Sequence, residues 1–427
     1  MGRRSVKVLF LESYYKPEKT SGAHLAEDMR RMLAESGHTM EVYAPVPCRG
    51  VDDDVRKEYK RKKRETDLDG AVTVHRFSLY KEGRNPLLRA IRYGFCELKL
   101  LWHGLRAKNI DLLPIGSTPP INGIVATFIH KMRKIPYVYI VQDLFPDSLV
   151  STGMTKRGSL LWKIGAWVSD LTYRNAAHII VISESIKEAL VQRGVPEEKV
   201  SVVYNWIDTE KTRHIDRDEN SLFDEFDLPR DKFYVTYAGN IGNSQNVGLL
   251  VDCAKRLQEH EDIRFVIFGE GSEKEKLLKQ IENEDLRNIS IFPMQPLERV
   301  SEVYSLGDVS FVICKKGVGQ GAFPSKAASI MATGTPVIAS FDADSDLCRT
   351  VQRGQAGECC EAENVEAAAE AILRLYRDRE LCSECAKNAR KLACSQFSKE
   401  KGLAKRLSIY EAYARKKNDN KSRKTKK

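Results

Sequence analysis

Nowhere do the 427 residues hold an uninterrupted apolar run approaching the roughly 18 to 20 that a membrane-spanning helix requires. The opening MGRRSVKVLFLESYY reaches Glu12 before a signal-peptide core can form, so the expectation is a cytosolic chain that begins on a buried strand. Metal-site spacing is absent too. Cys382 and Cys385 form a C-x-x-C, but DRELCSECAKNARKLACSQF reads as one helix, and no second pair or histidine partner accompanies it. The ten cysteines are therefore expected to be ordinary thiols of a reducing compartment, with no bound metal. The G-x-G-x-x-G fingerprint is missing as well. The first strand leads into ESYYKPEKTSGAHLAED, with one glycine, and RFVIF leads into GEGSEKEKL, which lacks the third, so a nicotinamide or flavin dehydrogenase is disfavoured.

What the chain does have is length and positive charge. With 42% apolar and 30% charged residues it is long enough for two domains, because one core rarely grows beyond about 250 to 300 residues. The net charge of +10 is concentrated in RKEYKRKKRE (56–65), in the C-terminal KNDNKSRKTKK, and at Arg84, Arg89, Arg92, Lys99 and Arg106. Such clusters suit phosphate-rich partners, either nucleic acid or an anionic membrane, although each alone also reads as a solvated loop or tail. No aromatic platform or recognition helix accompanies the charge, so nucleic acid is not expected. Between these arginines, Leu88, Ile91, Phe95, Leu98, Trp102 and Leu105 recur at intervals of three and four, a stripe expected to face the core.

Short β-branched runs alternate with helical patterns from VKVLFL to HIIVIS, and the alternation restarts after the polar stretch DTEKTRHIDRDENSLFDEFDLPRD with FYVTYAG, RFVIFGEG, NISIFPM, VSFVIC, TPVIAS and AGECCE. This predicts two doubly wound α/β units with parallel sheets, joined near residues 210–230. Ligands of such sheets bind at the carboxyl ends of the strands, where the connections switch direction.

Several segments, in their order and spacing, carry a family likeness: VQDLFPDSLVSTGM, VISESIKEAL, VSVVYNWIDTE, YAGNIGNSQNVGLLVDCAKRL, FVIFGEGSEKEKL and PSKAASIMATGTPVIAS, after the opening VLFLESYYKPEKTSGAHLAEDMRRMLAESGHTMEVYAP. Together they resemble the two-domain glycosyltransferases of the GT-B fold, in the large retaining family 4, and within it the bacterial capsule and O-antigen enzymes typified by the fucosamine transferases. The resemblance implies two Rossmann-like domains facing a central cleft: an acceptor domain over 1–212 and a nucleotide-sugar domain over 213–396. A helix over 397–416 would pack back on the first domain, and a basic disordered tail would follow over 417–427. It also implies metal-independent transfer of a sugar from a nucleotide diphosphate, with no cofactor and with retention of configuration. The expected partners are a UDP-linked N-acetylated or deoxy hexosamine, a lipid-diphosphate-linked saccharide acceptor and the anionic inner face of the plasma membrane.

A diphosphate leaving group without a metal must meet amides, helix N-termini and cations. In GVGQGAFPSKAASIMATG, Gly317, Gly319 and Gly321 permit close backbone approach, Ser325 is placed to cap the helix, Lys326 lies in its first turn and Gly334 ends it. The two glutamates that the family commonly carries here fall on Gly321 and Ser329, so Ser329 keeps at most a weaker ribose contact. A family arginine and lysine fall on Asn240 and on Gln245 or Asn246. Gly239 and Gly269, at strand ends, and Asp346 complete the expected donor set. In the first domain Ser21 and Gly22 are expected against the diphosphate, and His24 reads as packing. Asp143, ending a strand where relatives carry histidine, is the expected catalytic residue, orienting a hydroxyl. Arg84, Arg89 and Arg92 are expected at the acceptor or membrane. A sugar-nucleotide epimerase of the same fold, or a non-catalytic partner of another transferase, stands as the alternative.

Overall fold

The computed structural model describes residues 5–18, 22–83, 85–151, 155–317 and 323–424. The chain forms two units, one of residues 1–182, 186–203 and 403–427, the other of 183–185 and 204–402.

In the first unit the strands are β1 (Lys7–Leu11), β2 (Thr39–Pro45), β3 (Arg64–Asp67), β4 (Val72–Phe77), β5 (Leu113–Gly116), β6 (Tyr137–Val141), β7 (His178–Val181) and β8 (Val200–Val202). They hydrogen-bond in the orders β1-β2-β4-β3 and β5-β6-β7-β8, all parallel except the β3–β4 pair. The Leu9 amide donates to Leu112 O and the Asp111 amide to Lys7 O, at 2.9 and 2.8 Å, which joins the two sets edge to edge. Val8, Leu9, Val42, Val74, Leu112, Val138 and Ile179 are fully or nearly fully buried, as expected of strands covered on both faces.

In the second unit β9 (Phe233–Asn240), β10 (Ile263–Glu270), β11 (Ile289–Phe292), β12 (Val309–Ile313), β13 (Val337–Phe341) and β14 (Gly357–Glu361) form a parallel sheet in the order β11-β10-β9-β12-β13-β14. The chain winds outward one way from β9 and then the other, so the switch of direction falls between β9 and β12. Separate apolar clusters, one including Phe233, Val235 and Phe265 and one including Tyr234, Val266 and Phe268, take alternate residues of each strand and so cover its two faces. Cys382 and Cys385 are buried on the helix Arg379–Leu392, where they pack in the first of these clusters.

Four features differ from the sequence reading. The polar stretch 208–231 folds onto the second unit, because Leu222 and Phe223 drop into its core and Arg217 pairs with Asp308 at 2.8 Å; the chain passes between units at 203/204 rather than near 212. The last helix runs Lys399–Lys424, through the stretch read as a disordered tail, and from Leu403 it belongs to the first unit. The basic run 56–65 is built structure, a helix Asp53–Arg61 leading to β3, with Arg56 buried and donating to Pro47 O at 2.8 Å and Leu79 O at 2.6 Å. Finally, the stripe expected in the core is outside. Helix Pro86–Arg106 turns Arg92, Cys96, Glu97 and Leu100 inward and leaves Leu88, Ile91, Phe95, Leu98 and Trp102 exposed. Gly104 explains the inversion, since a Cβ there would stand 3.3 Å from Leu11 Cδ1 of β1; only a glycine lets the helix come that close to the strand.

Candidate active site

At the switch point, β9 ends in Gly239 and Asn240. Gly239 has φ 149°, a conformation that side chains rarely adopt, and a Cβ added to it would stand 2.9 Å from Lys326 Nζ and 3.3 Å from the Tyr237 hydroxyl. Glycine is therefore what lets the lysine reach the strand end. Lys326 lies in the first turn of the helix Ser325–Ala332, and its Nζ sits 4.1 Å from the centroid of the Tyr237 ring. Among the described residues no carboxylate pairs with it, and burial pushes its pKa down to about 8, only partly opposed by the Cys314 thiol. A poorly solvated ammonium at the carboxyl end of a parallel sheet favours an anion, whose charge would restore the solvation the lysine has lost.

The supporting residues differ in part from those expected. Pro324, not Ser325, occupies the cap position, and no side chain closes the first turn; Ser325 is exposed on the helix itself. The helix does end at Gly334 (φ 71°), whose amide donates to Met331 O at 3.0 Å, while Thr335 donates to Ile330 O at 3.2 Å. Ser329 is half-buried one turn beyond Lys326. Asn240 donates to Gln245 Oε1 at 3.0 Å, so Asn240 and one of the two candidates for the second expected cation position, Gln245 or Asn246, bind one another. Gly269 pairs with Gly239 across β10 and β9, and a Cβ there would stand 2.5 Å from Gly239 O; its bareness serves strand packing. Asp346 is buried and accepts the Glu184 amide at 2.9 Å, with Arg349 at 3.6 Å. Ser345, not Asp346, caps the helix Asp346–Gly354. The carboxylate expected at the donor is thus engaged with its own unit.

Two residues beside the site went unnoticed in the sequence. Lys315 lies two residues past β12; its amide donates to Ser244 O at 3.0 Å and its Nζ to Asn243 Oδ1 at 2.6 Å, which ties the loop after β9 to the end of β12. Asp342, one residue past β13, is buried and accepts the Gly317 amide on both carboxylate oxygens, at 2.9 and 3.0 Å, anchoring the root of the glycine loop. The signal in both cases was a charged residue within two positions of the end of an apolar strand. Gly319 and Gly321 lie outside the described residues.

In the first unit, Gly22 (φ 76°) stands at the N-cap of the helix Ala23–Glu35, and His24 on that helix is exposed rather than packed. Ser21 and Arg84 lie outside the described residues. Asp143 is exposed just past the end of β6, yet enough protein surrounds its carboxyl to push its pKa above the ordinary value by desolvation. The Gln142 amide beside it donates to Ser117 Oγ at 3.0 Å, joining the ends of β5 and β6. Arg89 pairs with Glu82 at 2.9 Å and is partly exposed. Arg92 is not available to a lipid or an acceptor: it is 1% exposed, donates to Tyr80 O at 3.1 Å and approaches Cys48 Sγ at 3.0 Å. Among the described residues no group of three or more His, Cys, Asp or Glu side chains could hold a metal ion.

Residues 22–211 match the family model "Glycosyltransferase Family 4", and residues 218–392 match "Glycosyl transferases group 1". The chain is 28% identical over 382 residues to the putative colanic acid biosynthesis glycosyl transferase WcaI of Escherichia coli K12, spanning 85% of this chain and 90% of that protein. It is 21% identical over 339 residues to the N-acetyl-alpha-D-glucosaminyl L-malate synthase of Bacillus anthracis, with 79% and 82% covered. The crystal structure of Anabaena Alr3699/HepE in complex with UDP shares the fold at a TM-score of 0.69 and 16% identity, over 95% of this chain and 100% of that one.

Proposed function

We propose, the chain being a glycosyltransferase of the GT-B fold built from a family 4 and a group 1 half, that it transfers an N-acetylated or deoxy hexosamine from a UDP-sugar to a lipid-linked saccharide during assembly of a bacterial surface polysaccharide. The observation that carries this reading is Lys326, an under-solvated ammonium packed against the bare end of β9 at the switch point. A departing UDP concentrates negative charge on its diphosphate. Lys326, in the first turn of the helix Ser325–Ala332, meets that charge as it develops, so the reading needs no resident metal or other cofactor. Retention follows if the leaving phosphate itself takes the acceptor proton on the front face. Asp143 then acts on the first unit as the residue that orients the acceptor hydroxyl.

The donor class is supported by the poverty of carboxylates at the site. Asp346 is occupied, and Ser329 stands at a family acid position, so few groups remain to hold many sugar hydroxyls; a 6-deoxy-2-acetamido sugar presents fewest. The biosynthetic setting is supported by the colanic acid relative, and the choice of UDP by the UDP-bound structural neighbour. The lipid-linked acceptor would bring the protein to the inner face of the plasma membrane.

The test is a thermal-shift series with UDP-linked acetamido, deoxy and plain hexoses, followed by transfer to extracted lipid-linked acceptor. Acetamido or deoxy donors are expected to raise the melting temperature most and to be consumed. Preference for UDP-glucose would overturn the donor class. No shift with any nucleotide sugar would favour a non-catalytic partner of another transferase.

A further inference from the structure

Three helices of the first unit, Pro86–Arg106, Asn122–Arg133 and Leu160–Asn175, lie side by side at very close range. Glycines set the spacing. A Cβ on Gly104 would stand 2.4 Å from Ile129 Cδ1, and one on Gly123 would stand 2.4 Å from Thr172 Oγ1. The helices thus touch through small residues, while their large apolar residues point away from the sheet. Leu98 is 63% exposed, Trp102 53%, Phe128 45%, Met132 64%, Leu160 75% and Trp167 60%. Seventeen large apolar side chains are exposed among the described residues, and thirteen stand on these three helices or on the residue that caps the second. Exposed apolar residues scattered singly need no explanation, but so many on one helical layer mark an interface.

The charge around this layer identifies its partner. Arg106, Lys131, Arg133 and Lys134 are exposed where the first two helices end, and Lys156, Arg157 and Lys163 where the third begins. Asp170 is the one exposed carboxylate on the three helices among their described residues. The Arg106 guanidinium lies 3.6 Å from the centroid of the Trp102 ring, so cation and indole stand together at the rim. Two copies paired through this face would set lysines and arginines against their like. An anionic headgroup layer complements them, and acyl chains complement the apolar stripe between them. No helix of the described chain is long and apolar enough to cross a membrane, so contact is made in the plane of the interface.

We propose that this three-helix face seats the first unit in an anionic lipid bilayer, with the apolar stripe among the upper acyl chains and the lysines and arginines at the phosphates. The purpose of such docking rests on the reading of a lipid-linked acceptor, but its geometry stands on the three helices alone. Arg92 has no part in it.

The experiment mixes the full-length protein with phosphatidylcholine vesicles, with or without phosphatidylglycerol, carrying acyl chains dibrominated near the headgroup. Flotation and tryptophan quenching are read at low and high salt. Binding is expected only with phosphatidylglycerol, with Trp102 and Trp167 quenched and the quenching lost in stages in Trp102→Phe and Trp167→Phe. Once bound, part of the quenching is expected to survive high salt, because screening weakens only the charge contribution. The double substitution Leu98→Glu with Phe128→Glu is expected to weaken partitioning roughly tenfold or more, leaving the circular dichroism and UDP-sugar binding unchanged. Vesicle binding without quenching, complete release by salt, or a concentration-dependent dimer that shields both tryptophans without lipid would each overturn the proposal. Its failure is separable from that of the acceptor reading: quenching with transfer only to soluble acceptors leaves the docking and removes the lipid acceptor, whereas transfer to lipid-linked acceptor without quenching does the reverse.

Discussion

Lys326 is the residue on which the proposed donor binding turns, and its environment makes two measurable demands. Removing it in Lys326→Ala takes away a charge-assisted hydrogen bond, so UDP affinity is expected to fall by about 1.5–3 kcal/mol in calorimetry, roughly ten- to a hundredfold. The ammonium is charged below its pKa near 8 and neutral above it, so UDP binding is expected to weaken as the pH rises through that value and to lose this dependence in Lys326→Met. Glu97 makes a different demand. It is 2% exposed, accepts from Ser13 Oγ at 3.0 Å, and its Oε2 has no hydrogen-bond partner among the described residues; burial pushes its pKa up from 4.5 to about 7. A carboxyl with a raised folded pKa holds its proton more tightly when folded. Its contribution to stability is thus full below 4.5 and lost as the pH rises through about 7. Glu97→Gln, which keeps the acceptor for Ser13, is expected to be more stable than the parent at pH 8 by an amount on the order of 1–3 kcal/mol and equal to it at acid pH, in urea titrations. The place of Lys326 in a first helical turn was legible because a cation in the first turn after a glycine loop is a local pattern. The burial of Arg92 was not, since its hydrogen-bond partners Tyr80 and Cys48 come from the segment before the helix and from the loop after β2.

At the scale of elements, periodicity found the helices but did not orient all of them. Helix Pro86–Arg106 has two faces that could be called inner, one of large apolar residues and one carrying Cys96, Leu100 and Gly104. Spacing alone favours the larger stripe. The structure uses the smaller, because two glycines bring three helices too close together for side chains between them. Gly123→Val is therefore expected to destabilise the first unit by about 1–3 kcal/mol through overpacking against Thr172, seen as a lowered midpoint in thermal unfolding. The helix Ser325–Ala332 was read well at its end and less well at its start. Gly334 ends it as a left-handed residue must, whereas the serine placed to cap it sits one position inside, behind Pro324.

At the scale of the whole molecule, the last helix decides which residues make the first unit. Leu403, Leu407, Tyr410 and Ala414 are buried, Glu411 approaches His38 Nε2 at 3.3 Å, and Tyr413 meets His178 Nδ1 at 2.7 Å. A chain ending after Gly402 is expected to lower the calorimetric transition of the first unit, by roughly 5 kcal/mol of lost burial, and to leave that of the second in place. A single unshifted transition would refute this division. The sequence by itself determined the two parallel α/β halves, the position of the switch-point strand ends and the place of Lys326 in the first turn of a helix, because strand alternation, turn residues and a glycine loop before a helix are written in consecutive residues. Tertiary structure alone decided that Asp346 is occupied, that Asp342 roots the loop, that Arg92 is buried and that an apolar stripe faces outward. Each of these depends on which distant segment a side chain meets, and no local pattern encodes that.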